Sequence, residues 1–378
     1  MTDNVEKTVF SKKDKGFMKE ALALAKKGYG RTSPNPMVGA VIVRKGRIIA
    51  SGYHRKAGGN HAEVEALLKI KGKAMEGDIL YVTLEPCNHH GKTPPCTEAI
   101  LQSGLKSLIV GMLDPNPRVT GGGCAFLKER GLKVLSGLLE KDCRRLNEVY
   151  IKSITTGFPF VMAKSALTMD GWTATSIGHS RWITGEKSRR YVHRLRDGVD
   201  GLLVGSGTII KDDPLLTTRF KNRKGKDPLR IIVDTHLRIQ HNARVVDHQS
   251  GSMSLIAVGP SVRPGLLKKI QSDRVSTVVC PIKKGRVDLR ALLEILGKMS
   301  VTSLLVEGGS RIMGSMIRER IIDKFYIFMA PKILGGGDGI PMAQGRGPKR
   351  MDEALMLKDI QMRRLGDDIL IIGYPDYR

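Results

Sequence analysis

Three short segments carry residues whose types and spacing could do chemistry together. His61-Ala62-Glu63 opens a helical pattern, Pro86-Cys87 follows a strand-like run, and Cys96 begins a second helical pattern. One imidazole and two thiolates suit zinc, leaving the fourth tetrahedral position to water. The metal lowers the pKa of that water and makes hydroxide available near neutral pH. Glu63, two residues from His61, is placed to carry protons to a leaving group. The implied chemistry is hydrolysis by a metal-activated water, with Glu63 passing the proton on. His61, Cys87 and Cys96 would hold one zinc ion per chain, and Glu63 would be the catalytic proton shuttle. The bland alternative is that these are incidental loop and core residues. Strand, loop and helix contexts all agree with the metal instead.

This is the His-x-Glu…Pro-Cys arrangement of zinc deaminases, with one departure. The common pattern has two residues between the cysteines, whereas eight separate Cys87 from Cys96 here, and they include His89 and His90 as competing ligands. Cys124, Cys143 and Cys280 read as small buried apolar residues. Five sparse cysteines argue against a disulfide framework.

The elements that must position these residues alternate between strand and helix. Residues 38–52 read as two short strands around a Lys45-Gly46 turn. Residues 61–72 read as a helix, 78–87 as a strand running into a loop, 93–104 as a helix, and 107–116 as a strand and turn. Gly157-Phe158-Pro159 then punctuates the chain. Strand-like runs near 160, 200, 230, 254, 276, 303 and 324 follow, with helical patterns at 186–197, 288–298 and 310–319. Such alternation predicts two layered α/β domains, placed at 1–154 and 155–378.

At 378 residues the chain is comfortable for two cores. No apolar run reaches membrane-spanning length, and the N-terminus lacks the apolar core of a signal peptide, so the cytoplasm is the expected compartment. The net charge of +26 divides into +10 for residues 1–150 and +16 for the rest, with no basic tail. A spread excess reads as a generally basic surface or an affinity for phosphorylated small molecules before it reads as nucleic-acid binding.

In the second half, residues 304–317 combine a strand, Gly308-Gly309-Ser310 and a helix, whose free N–H groups suit a pyrophosphate. The G-x-G-x-x-G fingerprint is absent in clean form.

The segments HAE, LEPCNHHGKTPPC, SPNPMVGAVIV, GYHRKAGGNHAE and DPNP resemble the deaminase domain of the bifunctional riboflavin-biosynthesis deaminase-reductases. KSALTMDG, HSRWITG, GSGTIIKDDPLLTTR, LLVEGGSRIMGSMI and APKILGGG are similar to its reductase domain, so the likeness covers nearly the whole chain. It departs after the MDG turn, where Trp172 stands in place of a basic residue. The resemblance implies a cytidine-deaminase-like three-layer domain followed by a dihydrofolate-reductase-like domain. Its implied ligands are zinc, NADPH and a phosphorylated pyrimidine.

By position, the resemblance marks Asn35, His54, Lys92, Asp114 and Asn116 as deaminase substrate contacts. Asn35 and Asn116 could serve a heterocycle edge, and His54 or Lys92 a phosphate or carbonyl oxygen. In the reductase half it marks Ala166, Trp182, Thr208, Asp212, Gly309, Ser310, Arg311, Ile312, Met313, Gly314 and Ser315 for the dinucleotide. Ser180, Arg196, Leu216, Arg219 and Glu307 are marked for substrate. Arg196 and Arg219 suit a phosphate by their bidentate fork, while Lys164, Asp212 and Glu307 are the polar candidates for assisting the reduction. The rival reading is a nucleic-acid deaminase, for instance one acting on tRNA, with an accessory α/β domain. The inter-cysteine insertion and the reductase-like half argue against it. A membrane partner is not expected, and a homo-oligomer is left open.

Overall fold

The computed structural model describes residues 10–71, 73–89, 94–117, 122–247 and 251–377. Its chain divides into two compact units, Met1–Gly157 and Phe158–Arg378. The division falls three residues beyond the expected 154/155, after the helix that ends the first unit.

In the first unit, α1 (Lys12–Ala25) is followed by the hairpin β1 (Gly39–Arg44) and β2 (Arg47–Tyr53), then α2 (Ala62–Lys69) and β3 (Ile79–Leu84). Next come α3 (Cys96–Gln102), β4 (Ser107–Met112), α4 (Gly123–Glu129), β5 (Lys133–Ser136), α5 (Glu140–Leu146) and α6 (Glu148–Thr156). Among the described residues the sheet runs β2-β1-β3-β4-β5. β1 is antiparallel to both its neighbours, and β3, β4 and β5 are parallel.

Two glycines show why this unit has three layers. A Cβ on Gly39 would collide with the Ala21 carbonyl of α1, and one on Gly52 with the Ala62 carbonyl of α2. Gly52 pairs with Ala40 across the ladder, so it faces the side opposite to Gly39. The two helices therefore pack on opposite faces of the sheet, pressed close because neither glycine has a side chain. A capping box at Ser11 and Asp14 starts α1. Ile42, Leu80, Leu108 and Val110, all at 0 % exposure, form the core between the layers.

The second unit opens with β6 (Phe160–Leu167), β7 (Trp172–Ala174), α7 (Glu186–Gly198), β8 (Gly201–Gly205), α8 (Ser206–Asp212) and β9 (Leu229–Val233). It continues with β10 (Ser254–Val258), α9 (Pro264–Ile270), β11 (Val275–Val279), β12 (Ile282–Lys283), β13 (Arg286–Val287) and α10 (Leu289–Lys298). It ends with β14 (Ser303–Val306), α11 (Ser310–Arg318), β15 (Lys324–Met329), β16 (Ile340–Pro341), β17 (Met356–Leu365) and β18 (Asp368–Asp376). Its main sheet runs β11-β10-β9-β8-β14-β6-β15-β18-β17 among the described residues. The strands from β11 to β15 are parallel, and β18 and β17 add an antiparallel edge.

Parallel strands covered on both faces are apolar throughout, and β14 (SLLV) is buried at every position. Parallel order also brings the ends of β6, β8, β9 and β14 to one edge, where α/β sheets bind their ligands.

Candidate active sites

In the first unit the two helix starts and one loop converge. His61 is the N-cap of α2, Cys96 is the first residue of α3, and Cys87 lies just beyond β3. Their ligand atoms all lie within 4.8 Å of one another. His61 Nδ1 is 3.1 Å from Cys96 Sγ and 3.4 Å from Cys87 Sγ, and the Cys96 N–H donates to Cys87 Sγ at 3.3 Å. A tetrahedral zinc would set nitrogen and sulfur about 3.6 Å apart, so the trio fits with little movement. The Cys96 thiol beside Cys87, helped by His61, lowers Cys87 to about 4 despite its burial.

Glu63 sits in the first turn of α2, 3 % exposed, and its Oε2 has no hydrogen-bond partner among the described residues. Burial, reinforced by the Cys87 thiolate, pushes this carboxyl up to about 7. An orphaned buried carboxylate oxygen beside a His-Cys-Cys trio fits a metal-bound water as its missing partner. His89 is not part of the cluster, and His90 lies outside the described residues. Cys124, Cys143 and Cys280 are buried free thiols, as expected of small apolar residues.

The positions expected to meet substrate in the first unit divide into candidate contacts and the groups that hold them. The Asn35 amide donates to His54 Nε2 at 3.1 Å, which leaves His54 Nδ1–H to donate to the Asn60 carbonyl at 3.0 Å. With both ring nitrogens taken and 2 % exposure, His54 orients Asn35 and is poorly placed to meet a phosphate oxygen. The amide oxygen of Asn35 has no hydrogen bond among the described residues. Asp114 Oδ1 accepts from the Asn116 N–H at 3.0 Å and the Tyr150 hydroxyl at 2.9 Å, so Asp114 builds the turn that presents Asn116. Lys92 lies outside the described residues.

Sequence reasoning passed over Glu85. Its carboxylate accepts from the N–H of Asp114 at 2.9 Å and of Cys124 at 2.8 Å, tying the Asn116 turn and α4 to the segment that carries Cys87. The signal was present in LEPC, two residues before the ligand, but only the distant partners reveal the role.

In the second unit a cleft of ≈ 1750 Å³ opens where the parallel strands end. Thirteen lysines and arginines line it against three carboxylates, among the described residues. That imbalance suits a ligand bearing several phosphates. Lys164 and Ala166 on β6, Ser180 and Trp182 after β7, and Arg196 on α7 all face it. So do Thr208 and Asp212 on α8, Arg219, Glu307 and the segment from Gly309 to Met313 with Ser315.

Two expected positions do not line the cleft. Leu216 is 4 % exposed, with a left-handed backbone (φ 52). Gly314 turns away, because a Cβ there would meet the Gln344 carbonyl. Its role is close packing of α11 against that segment.

On α7, Arg196 grips Glu307 with two charge-assisted hydrogen bonds of 2.6 and 2.8 Å, and donates a third to the Thr217 carbonyl at 2.9 Å. Burial raises Glu307, but Arg196, with Lys164 behind it, outweighs this and holds the carboxyl below the usual range. Burial lowers Lys164, only partly opposed by Glu307. Gly308 lies against Thr208, and Gly309 (φ 82) turns the chain into α11. The first N–H groups of that helix have no intrahelical acceptor.

His193 was not foreseen. It lines the cleft one turn from Arg196 and Arg189 on α7, and its Nδ1 accepts from the Arg219 N–H at 3.2 Å. The proton therefore sits on Nε2. Burial, then Arg196 and Arg219, lowers this imidazole to about 4. In sequence, a helix face bearing Arg189, His193 and Arg196 looks like a solvated polar stripe.

A His-Cys-Cys cradle with a buried carboxylate on one three-layer unit, and a strongly basic cleft at the ends of parallel strands on another, define a zinc deaminase joined to a nicotinamide-dependent reductase. Comparison with known proteins agrees for both units. Residues 11–112 match the cytidine and deoxycytidylate deaminase zinc-binding region, and residues 159–371 match the RibD C-terminal domain. The chain is 40 % identical over 361 residues to the riboflavin biosynthesis protein RibD of Actinobacillus pleuropneumoniae, covering 95 % of this chain and 94 % of that one. It is 42 % identical over 358 residues to that of Aquifex aeolicus, covering 95 % and 97 %. The crystal structure of the diaminohydroxyphosphoribosylaminopyrimidine deaminase/5-amino-6-(5-phosphoribosylamino)uracil reductase of Thermotoga maritima aligns with a TM-score of 0.81 at 34 % identity, over 96 % of this chain and 99 % of that one. Acinetobacter baumannii RibD aligns with a TM-score of 0.85 at 32 % identity, over 97 % and 99 %. The chain belongs to the RibD family, the bifunctional deaminase/reductases of riboflavin biosynthesis. No helix among the described residues is long and apolar enough to cross a membrane.

Proposed function

We propose that the first unit deaminates 2,5-diamino-6-ribosylamino-4(3H)-pyrimidinone 5′-phosphate at its 2-amino group. The second unit then uses NADPH to reduce the ribosyl side chain, giving 5-amino-6-ribitylamino-uracil 5′-phosphate. The observation that carries the reading is the orphaned Oε2 of buried Glu63 beside His61, Cys87 and Cys96. The Thermotoga maritima relative bears both activities in its name.

Zinc held by those three residues supplies an acidified water. Glu63 takes a proton at Oε2 and hands it to the departing amine nitrogen. The Asn35 oxygen, set by His54, accepts from an N–H on the heterocycle edge, and Asn116 meets the same edge. Lys92 is retained as a phosphate contact by position.

NADPH supplies the hydride when bound. Thr208, Gly309 and the open N–H groups of Ser310, Arg311 and Ile312 would hold its pyrophosphate, and Ala166 and Trp182 would take its nicotinamide part. Ser315 and Asp212 border the same path. Arg219, whose guanidinium has no hydrogen bond among the described residues, takes the ribose phosphate with Ser180 and the Nε2–H of His193. Arg196 is committed to Glu307, so that pair positions the substrate. Lys164, whose ammonium is destabilised by burial, is the group suited to pass a proton from Nζ to the ribose ring oxygen as it opens. Five unpaired cysteines, two of them serving a metal, suit the reducing cytoplasm.

The test supplies the diaminopyrimidinone phosphate with and without NADPH and follows ammonia and nicotinamide absorbance. Ammonia without NADPH, then NADPH consumption matched to the deaminated product, is expected. Glu63→Gln keeps one zinc per chain, releases no ammonia, and still oxidises NADPH when given the deaminated intermediate. Undiminished ammonia release by that variant would overturn the assignment.

A further inference from the structure

A second group of cations lines the reductase cleft away from the Arg196–Glu307 pair. β12 and β13 form a tight hairpin, pairing Ile282 with Val287 and Lys283 with Arg286. Lys284 (φ 51) and Gly285 (φ 73) close it, both left-handed as a two-residue hairpin turn prefers. The hairpin is moored at both sides. Val287 N–H donates to Thr235 Oγ1 at 3.2 Å just beyond β9, and Lys283 pairs with Glu319 at 3.4 Å just beyond α11. Arg290 donates to the Glu319 carbonyl at 3.2 Å. Lys283, Lys284 and Arg286 all line the cleft.

The sheet order places this hairpin relative to the chemistry. From β6, which carries Lys164, the strands run β14, β8, β9. Three spacings of about 4.8 Å put the end of β9 roughly 14 Å away. A dinucleotide drawn along the strand ends, with its nicotinamide at β6 and its pyrophosphate at α11, carries its adenosine toward that end.

The charges there are unevenly committed. Arg238 already donates to Asp234 and to Ser206 Oγ, and Lys283 has Glu319. Lys284 and Arg286 are exposed, and their side chains have no hydrogen bond or ion pair among the described residues. Of the three carboxylates in the cleft, Glu307 is taken by Arg196 and Glu319 by Lys283, and Asp212 ends α8. Among the described residues, no uncommitted carboxylate accompanies the hairpin. Sites for NAD use a carboxylate on the ribose 2′-hydroxyl, whereas a 2′-phosphate calls for arginine or lysine.

We propose that Lys284 and Arg286 bind the 2′-phosphate of the adenosine ribose and thereby set the preference for NADPH over NADH. The inference rests on the reading of the cleft as a nicotinamide-dinucleotide site. The ammonium and guanidinium, held on a closed turn, meet a phosphate monoester that is close to a dianion at neutral pH.

The test is calorimetric binding of 2′,5′-ADP, 5′-AMP, NADPH and NADH to the full chain, with no turnover needed. Wild type is expected to hold 2′,5′-ADP more tightly than 5′-AMP by tenfold or more. Lys284→Ala/Arg286→Ala should weaken 2′,5′-ADP and NADPH by roughly ten- to a hundredfold, as for loss of charge-assisted contacts. It should leave 5′-AMP and NADH within about twofold, and Lys284→Arg should retain the wild-type preference. A wild type that prefers 2′,5′-ADP with a double variant that binds it equally well would overturn the hairpin assignment and leave the NADPH reading standing. A wild type that binds NADPH and NADH alike would refute the NADPH reading itself, and this inference with it.

Discussion

Glu307→Gln offers a direct test of how the reductase site is built. Glu307 and Arg196 have side chains only 5 % and 14 % exposed, joined by two short hydrogen bonds. Lys164 lies half-buried beside them. The amide keeps the shape and one acceptor but removes the charge, leaving the largely buried Arg196 and the half-buried Lys164 with no charge to balance them. Breaking a buried pair from one side costs about 3–5 kcal/mol. The retained acceptor offsets about 1 kcal/mol, so the loss should be roughly 2–4 kcal/mol. For a unit of this size that lowers Tm on the order of 10 °C. Both tryptophans, Trp172 and Trp182, belong to the second unit, so tryptophan fluorescence reports its unfolding alone. The pH dependence has a definite sign. The folded carboxyl lies below its ordinary value of 4.5, so its stabilisation is present above that pH and is lost as pH falls below it. The variant should lack that loss. Arg196→Met/Glu307→Gln, which strands no guanidinium, should recover at least half of the stability. A Glu307→Gln protein that melts within 2 °C of wild type, or a double variant less stable than the single, would refute the reasoning.

Three further outcomes are expected. His193 is held down to about 4 by burial and by Arg196, Arg219 and Lys164, against Glu307, so the folded state loses stability as pH falls from 6.5 toward 4. Denaturation of His193→Gln at stepped pH should show a flatter profile over that window. Removing zinc with a chelator should abolish ammonia release and leave NADPH oxidation with the deaminated intermediate intact; loss of both activities together would contradict separate sites. Gly123→Ala drives a Cβ into the Pro86 carbonyl beside Cys87, at the helix start that Glu85 organises. Zinc content should fall and the first unit should lose about 1–3 kcal/mol, as overpacking does, measured by metal analysis and chemical denaturation.

Much of this protein is legible along the chain because its signals are local. The Lys45-Gly46 hairpin, the helix behind His61, and the apolar strands of the second unit follow from periods of 2 and 3.6 and from turn residues a few positions apart. The His-x-Glu and Pro-Cys fragments name their own chemistry, because a ligand set is a matter of residue type. The edge strand β17 escaped because its surface alternates Met356, Ile360 and Met362 with charges and is mostly exposed, so burial left no pattern to read. The α8 turn of helix was hidden in a run noticed only for its acids.

What only the tertiary structure decided is which groups remain free once partners separated by long stretches of chain have met. Arg196 looked like a phosphate anchor until Glu307, 111 residues away, claimed its fork, and of the two it is Arg219 whose guanidinium has no hydrogen bond among the described residues. His54 looked like a contact until Asn35 and Asn60 took both its nitrogens. Glu63 announced a proton shuttle in sequence, but its unpartnered oxygen and raised pKa exist only because packing excludes water from it. Residue types along the chain determine what chemistry can occur. Burial and long-range pairing determine which of those groups are left with a charge, a proton or a lone pair to use, because desolvation and neighbouring charge act through space and not along the sequence.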